Sequence, residues 1–166
     1  TNLGAHIGIY KRVPAQAGMG GGSSDAASTL LALNRLWGLN LPLSQLSTIG
    51  LKLGADIPFF LFGKTAFVSG IGDIIQPIDS QQLQPQATLA VVKPEAGLDT
   101  KEIFSSPFLK RDSKHATIED FAAAYYRFGS NDLQPVAQAL CPEIKKVIDF
   151  LKSKEMHARM TGSGSA

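Results

Sequence analysis

Residues 14–27 read Pro-Ala-Gln-Ala-Gly-Met-Gly-Gly-Gly-Ser-Ser-Asp-Ala-Ala. Gly18, Gly20, Gly21 and Gly22 stand just ahead of a helix-forming segment. Glycine loses more backbone freedom on ordering than any other residue, so such a run needs a reason. One reason is a ligand held against the backbone. The first N–H groups of a helix have no partner within it, and the helix dipole is positive there, so the end attracts anions. Glycines let the chain close on phosphate oxygens without Cβ clashes. Ser23 and Ser24 add hydroxyls that suit a phosphate or a metal ion. The plainer alternative is a glycine-rich structural turn. A strand, a loop, a Ser-Ser pair and a helix in that order favour the phosphate reading.

Several known phosphate loops do not match. A Walker loop needs a glycine five residues ahead of its Gly-Lys-Thr. Gly63-Lys64-Thr65 has Pro58 there and leads into a strand pattern. The dinucleotide pattern Gly-x-Gly-x-x-Gly fails at Ser23 when started from Gly18, and at Asp25 when started from Gly20. Protein-kinase signatures are missing downstream. His6, His115 and His157 lack metal-ligand spacing. Cys141 is the single cysteine; it precedes Pro142 at an apparent helix start and reads as structural.

The elements that must position the loop follow from periodicity and punctuation. Ile7, Ile9 and Val13 alternate as in a strand over residues 6–14, and Pro14 ends it. Ser23 or Ser24 is expected to cap a helix over 25–37, with Asp25 in its first turn. Leu30, Leu33, Leu36 and Trp37 form its apolar face, and Gly38 is a natural stop. A second helix is expected over 43–53, with Leu46, Ile49 and Leu53 inward and Gly54 at its end. Pro58 can open a short helical turn. Residues 64–70 and 72–78 read as strands of a hairpin joined through Gly70 to Gly72. The polar run 80–86 is the candidate inter-domain connection. A strand over 87–94 and short helix over 99–104 come next, then a charged loop over 111–116. Residues 117–129 read as a helix with a capping box from Thr117 to Asp120. Residues 141–154 form a last helix with Ile144, Val147, Ile148 and Leu151 inward, and 158–166 a strand end and loop.

Composition supports a globular reading. The 166 residues are 44% hydrophobic and 18% charged, with a net charge of +2. That is enough chain to bury a core, and nothing in it resembles a nucleic-acid-binding stripe. No apolar run reaches membrane-spanning length.

The glycine block resembles the GHMP kinases, the superfamily of galactokinase, homoserine kinase and mevalonate kinase. That superfamily usually has Gly-Leu-Gly-Ser-Ser-Ala here. The triple glycine before Ser-Ser-Asp-Ala-Ala resembles its diphosphocytidyl-methylerythritol branch. Residues 53–78, Leu-Gly-Ala-Asp-Ile-Pro-Phe-Phe and the hairpin after it, are similar to that branch's second block. Residues 91–104 resemble its substrate segment. Residues 130–137 and 159–166 resemble its later Asn-Asp-Leu and its third motif.

The resemblance implies an α+β, two-lobed GHMP kinase fold. An incomplete N-terminal lobe like domain 2 of ribosomal protein S5 would span 1–85, and a ferredoxin-like C-terminal lobe 86–166. It implies a cytoplasmic, ATP- and Mg²⁺-dependent kinase of non-mevalonate isoprenoid precursor biosynthesis. The substrate would be a small cytidine-diphosphate-linked methylerythritol, phosphorylated on its 2-hydroxyl, with no nucleic acid or membrane as partner. Pro14, Ala15, Gln16, Ala17, Gly18, Met19, Gly20, Gly21, Gly22, Ser23 and Ser24 would hold the ATP phosphates, with Ser23 or Ser24 a possible Mg²⁺ contact. Asp56, on a constrained connection between Gly54 and Pro58, would be the catalytic base and touch substrate. Its plainer role is a helix cap or surface residue. Thr100 would bond the sugar-alcohol part, and Phe104 would stack on cytosine or pack in the core. Gly162 and Gly164 would shape the floor near the phosphates.

The family's N-terminal strand with its catalytic lysine has no match here. Neither Lys11 nor Lys64 fits that motif, so this stretch alone is expected to be nearly inactive. A missing strand would also leave a sheet edge exposed and favour poor solubility or pairing. The alternatives are another small-molecule GHMP kinase of the homoserine or mevalonate type, a non-catalytic binding module, or the related diphosphomevalonate decarboxylase.

Overall fold

The computed structural model describes residues 3–79, 88–124 and 128–166. The chain forms two compact units. The first holds Thr1–Arg12 and Gly20–Gln82; the second holds Val13–Met19 and Leu83–Ala166. The glycine-rich stretch therefore changes unit between Met19 and Gly20. The polar run 80–86 lies outside the described residues.

In the first unit, α1 (Gly21–Leu36), α2 (Leu43–Leu53) and α3 (Ile57–Phe62) pack around Ala27, Leu46, Ile57 and Leu61. α1 begins well before the expected position. Gly20 is its N-cap, in the left-handed region at φ 66°, and no side chain caps it. Ser23 and Ser24 thus lie inside the helix, and Asp25 falls beyond its first turn. Leu36 is 69% exposed, so the apolar face is narrower than its spacing suggests. α1 ends in a Schellman motif at Gly38: Gly38 N–H donates to Arg35 O, and Leu39 N–H to Asn34 O. The Asn34 side chain then ties the α1–α2 connection by accepting from Leu41 N–H (2.9 Å) and donating to Leu41 O (3.1 Å).

α2 has the expected bounds but a different inner face. Leu46 and Gly50 are buried, while Ile49 and Leu53 are exposed. Gly50 is there because α3 comes close: a Cβ on it would stand 2.6 Å from Ile57 Cγ2. The hairpin forms as expected from β1 (Ala66–Ser69) and β2 (Ile74–Pro77), antiparallel, with Ala66 opposite Pro77 and Ser69 opposite Ile74. Gly70 (φ 67°) and Gly72 (φ 110°) supply the left-handed turn.

The second unit contains α4 (Thr100–Ser105), α5 (Ile118–Ala124), α6 (Gln134–Leu140) and α7 (Pro142–Ser153). Its core is Leu98, Ile103, Leu109, Val136, Ala137, Cys141, Ile144, Ile148 and Met160. Ile103 is fully buried; a side chain of that size contributes about 2–3 kcal/mol by leaving water. α4 is capped by Asp99, which accepts from Lys101 N–H at 2.8 Å. The capping box before α5 is reciprocal: Thr117 N–H donates to Asp120 Oδ2, and Asp120 N–H to Thr117 Oγ1. The expected continuation through residues 125–127 lies outside the described residues. α6 was not expected. On α7, Ile144 and Ile148 are buried, with Val147 and Leu151 half-buried.

Cys141 ends α6, begins α7 and is buried. Its thiol donates to Glu143 Oε2 at 3.4 Å. The backbone N–H at the helix start, with that thiol and Lys146, holds the Glu143 carboxyl below its ordinary 4.5 against a smaller opposing effect of burial.

Among the described residues the strands expected over 6–14 and 87–94 do not form, and neither does one before the third motif. A strand exists only through hydrogen bonds to a neighbour. No partner there supplies them, and Ile7, Ile9, Leu89 and Val91 stand exposed.

Candidate active site

In the second unit, the first half of the glycine-rich stretch is locked against the third motif. Gln16 is left-handed at φ 57°, and its carbonyl accepts from Ser165 N–H at 3.2 Å. Gly18, at φ 71°, passes so close that a Cβ would overlap Thr161 O and stand 2.8 Å from Gly164 N. The Gly18 carbonyl accepts from Thr161 Oγ1 at 3.2 Å. In return, a Cβ on Gly162 (φ 53°) would sit 2.7 Å from Gly18 O, and one on Gly164 2.6 Å from Gln16 O. Ala17 is buried beside them, whereas Pro14 and Ala15 are exposed and Met19 is half-buried. The glycines of both segments are thus explained by mutual backbone approach.

Thr100 opens α4 and its hydroxyl pairs with Ser163 Oγ at 3.0 Å. Phe104 is 49% exposed, so core packing does not account for it. Its carbonyl accepts from Arg111 Nη2 at 2.6 Å, which anchors the end of that short helix.

In the first unit, the second half of the stretch opens α1. Ser24 N–H is the first donor to find a partner in the helix, Gly20 O at 2.9 Å. The N–H groups of Gly21, Gly22 and Ser23 precede it and have no carbonyl one turn back. No acidic side chain lies in that first turn. Gly22 is exposed, and a Cβ on it would meet nothing within 4 Å. Ser23 and Ser24 are half-buried. Asp25, farther along, is paired with Lys11 at 2.5 Å. Half-exposed on both sides, that pair is worth about 0–1 kcal/mol.

The same unit brings the Asp56 connection to this helix end. A Cβ on Gly20 would lie 2.7 Å from the Phe60 ring of α3, and one on Gly54 4.0 Å from Ser23 Oγ. The hairpin turn backs the connection: a Cβ on Gly72 would overlap Ala55 O. Asp56 is the N-cap position of α3, with Pro58 in the first turn, but its side chain caps nothing. It is exposed and has no partner among the described residues. A free carboxylate on a braced connection can accept a proton from a bound hydroxyl.

Residue spacing missed Ser163, Asn131 and Gln134. Asn131 Nδ2 donates to Met160 O and Gly162 O, and Gln134 Oε1 accepts from Met160 N–H. These contacts join residues distant in sequence, so only the Asn-Asp-Leu resemblance pointed to them. No group of three or more His, Cys, Asp or Glu side chains that could hold a metal occurs among the described residues. Nor, among them, is any helix long and apolar enough to cross a membrane.

Comparison with known proteins gives the family. Residues 1–64 match the family model for the GHMP kinases N terminal domain, and residues 109–166 that for GHMP kinases C terminal. The chain is 68% identical over 163 residues to the 4-diphosphocytidyl-2-C-methyl-D-erythritol kinase of Acidovorax sp. (strain JS42), covering 98% of this chain and 58% of that protein. It is 64% identical over 166 residues to the enzyme of the same name from Paracidovorax citrulli (strain AAC00-1), covering 100% of this chain and 58% of that one. A crystal structure of 4-(cytidine 5'-diphospho)-2C-methyl-D-erythritol kinase superposes with a TM-score of 0.65 at 29% identity, over 93% of this chain and 57% of that one. The chain thus spans less than two thirds of the relatives it matches. With both family domains matched, the chain belongs to the GHMP kinase family.

Proposed function

We propose that the full-length protein carrying this chain transfers a phosphoryl group from ATP to the 2-hydroxyl of 4-diphosphocytidyl-2-C-methyl-D-erythritol. The observation that carries this reading is the helix start at Gly20 to Ser24. Among the described residues the N–H groups of Gly21, Gly22 and Ser23 have no partner, no acidic side chain lies in that first turn, and Gly22 faces open space. The relatives' names supply the substrate.

Phosphoryl transfer asks for positioning and for stabilisation of charge rather than covalent help. The N–H groups from Gly20 to Ser23 would hold phosphate oxygens. Residues 14–19 would fix the approach of the chain to that point. Asp56 would orient the substrate hydroxyl and take its proton. Thr100 would bond the sugar-alcohol part, and the exposed Phe104 ring would stack on cytosine. Ser23 or Ser24 would lend a hydroxyl to Mg²⁺, which would neutralise phosphate charge when bound. The lobes would divide near residue 85, and a cytoplasmic location suits the nucleotide and the reaction.

The test follows ADP release by the full-length protein given Mg-ATP with the cytidyl substrate, homoserine or mevalonate. Release with the cytidyl substrate alone supports the reading. Release with another alcohol moves the protein to a different kinase branch. Nucleotide binding without release from any alcohol replaces the kinase with a binding module.

A further inference from the structure

Among the described residues Asn131 makes no hydrogen bond to the glycine-rich stretch or to α4, yet both polar atoms of its side-chain amide are paired. Nδ2 donates one hydrogen to Met160 O at 3.1 Å and the other to Gly162 O at 2.8 Å. Oδ1 accepts from Leu133 N–H at 3.0 Å, and the Asn131 carbonyl accepts from Gln134 N–H at 3.0 Å. Only this orientation of the amide works: turned over, its oxygen would face two carbonyls and its NH₂ an N–H. The start of α6 is thereby bolted to the turn from Met160 to Gly162. Gln134, the first residue of α6, adds a third bond by accepting from Met160 N–H at 2.9 Å.

That turn is what grips residues 16–18. Thr161 bonds the Gly18 carbonyl, Ser165 bonds the Gln16 carbonyl, and Gly162 and Gly164 leave no space for a side chain between the two segments. We infer that Asn131 is a positioning residue for nucleotide binding: it sets the third-motif turn, which in turn sets the first half of the glycine-rich stretch. The inference rests on the phosphate role proposed for that stretch. It assigns to Asn131 no contact with a ligand.

The experiment uses the full-length protein and two readouts, calorimetric binding of ADP and steady-state kinetics. Asn131→Asp is nearly isosteric and still accepts from Leu133 N–H, but it sets a carboxylate against two carbonyls. ADP affinity and the KM for ATP should worsen about tenfold, the size of one or two lost hydrogen bonds, with kcat changed less than about threefold. The KM for the alcohol substrate should stay unchanged. Thr161→Val, which removes the bond to Gly18 O without touching Asn131, should shift the same two quantities about threefold. It keeps the inference testable should Asn131→Asp not fold. Wild-type ADP affinity in either variant overturns the inference, even if the wild type is an active kinase. Equal damage to both KM values and to kcat also overturns it, since that marks general loosening. If the wild type binds ADP without turnover and the variants bind it weakly, the kinase reading falls and this inference stands. If the wild type binds no nucleotide, both fall.

Discussion

The two halves of the glycine-rich stretch use the same residue for different reasons. Gly18 has a left-handed backbone and another chain segment against it. Gly22 is helical, exposed and has open space where a Cβ would go. The fold demands glycine at the first position and not at the second. Glycine is the weaker helix former of the two, by up to about 1 kcal/mol in a helix interior and less in a first turn, so Gly22 offers the fold no advantage over alanine. An account based on turn geometry alone explains Gly18. It leaves Gly22 to be explained by something that approaches the backbone from outside.

Substitutions can separate the halves. The largest effect on activity is expected from Asp56→Asn. A positioned base contributes about 10²–10⁴-fold, so kcat should fall by about that factor. Thermal stability should be unchanged, because the carboxylate has no partner among the described residues to lose. A loss of stability would mean that Asp56 serves the fold. Gly18→Ala should be the most damaging change to the fold. A Cβ would collide with backbone at Thr161, and φ 71° is unfavourable for alanine. Denaturant titration should show a loss of about 2–4 kcal/mol. Gly22→Ala should leave stability intact or raise it by about 0.5–1 kcal/mol. If both glycine variants lose stability equally, the contrast between the halves disappears.

The smallest effect belongs to Glu143, in the first turn of α7. Its folded carboxyl titrates below the ordinary value. The stabilisation it provides is therefore present above the ordinary glutamate range and disappears as pH falls through its lowered pKa. Carbon-detected NMR titration should place its midpoint below that of exposed glutamates, and Cys141→Ala should move it partway back. An ordinary midpoint in the wild type would contradict the thiol and helix-start contacts.

What could be read from the sequence was what is decided locally. α2, the hairpin turn at Gly70 to Gly72, the stop at Gly38 and the Thr117–Asp120 box rest on residues within a few positions of one another. The start of α1 was misplaced because serine is the commoner cap; here left-handed Gly20 opens the helix without a side chain. α6 escaped notice because it is short and shows little periodicity, although Pro135 in its first turn was a usable sign. The alternating segments near Ile7 and Val91 carry a strand pattern, but strands need partners that a local pattern cannot provide. For the candidate site, the glycines stood out by type, whereas Asp56 was singled out only by the family resemblance. The grip of Thr161 on Gly18, across most of the chain, was not.

The most direct test of the central claim is ADP affinity of the full-length protein with Gly22→Ala, measured by calorimetry beside a melting curve. If phosphate lies against this helix start, affinity should fall about tenfold or more while the melting temperature holds or rises. Unchanged affinity at unchanged stability would contradict the claim, and the phosphate site would have to be sought elsewhere in the protein.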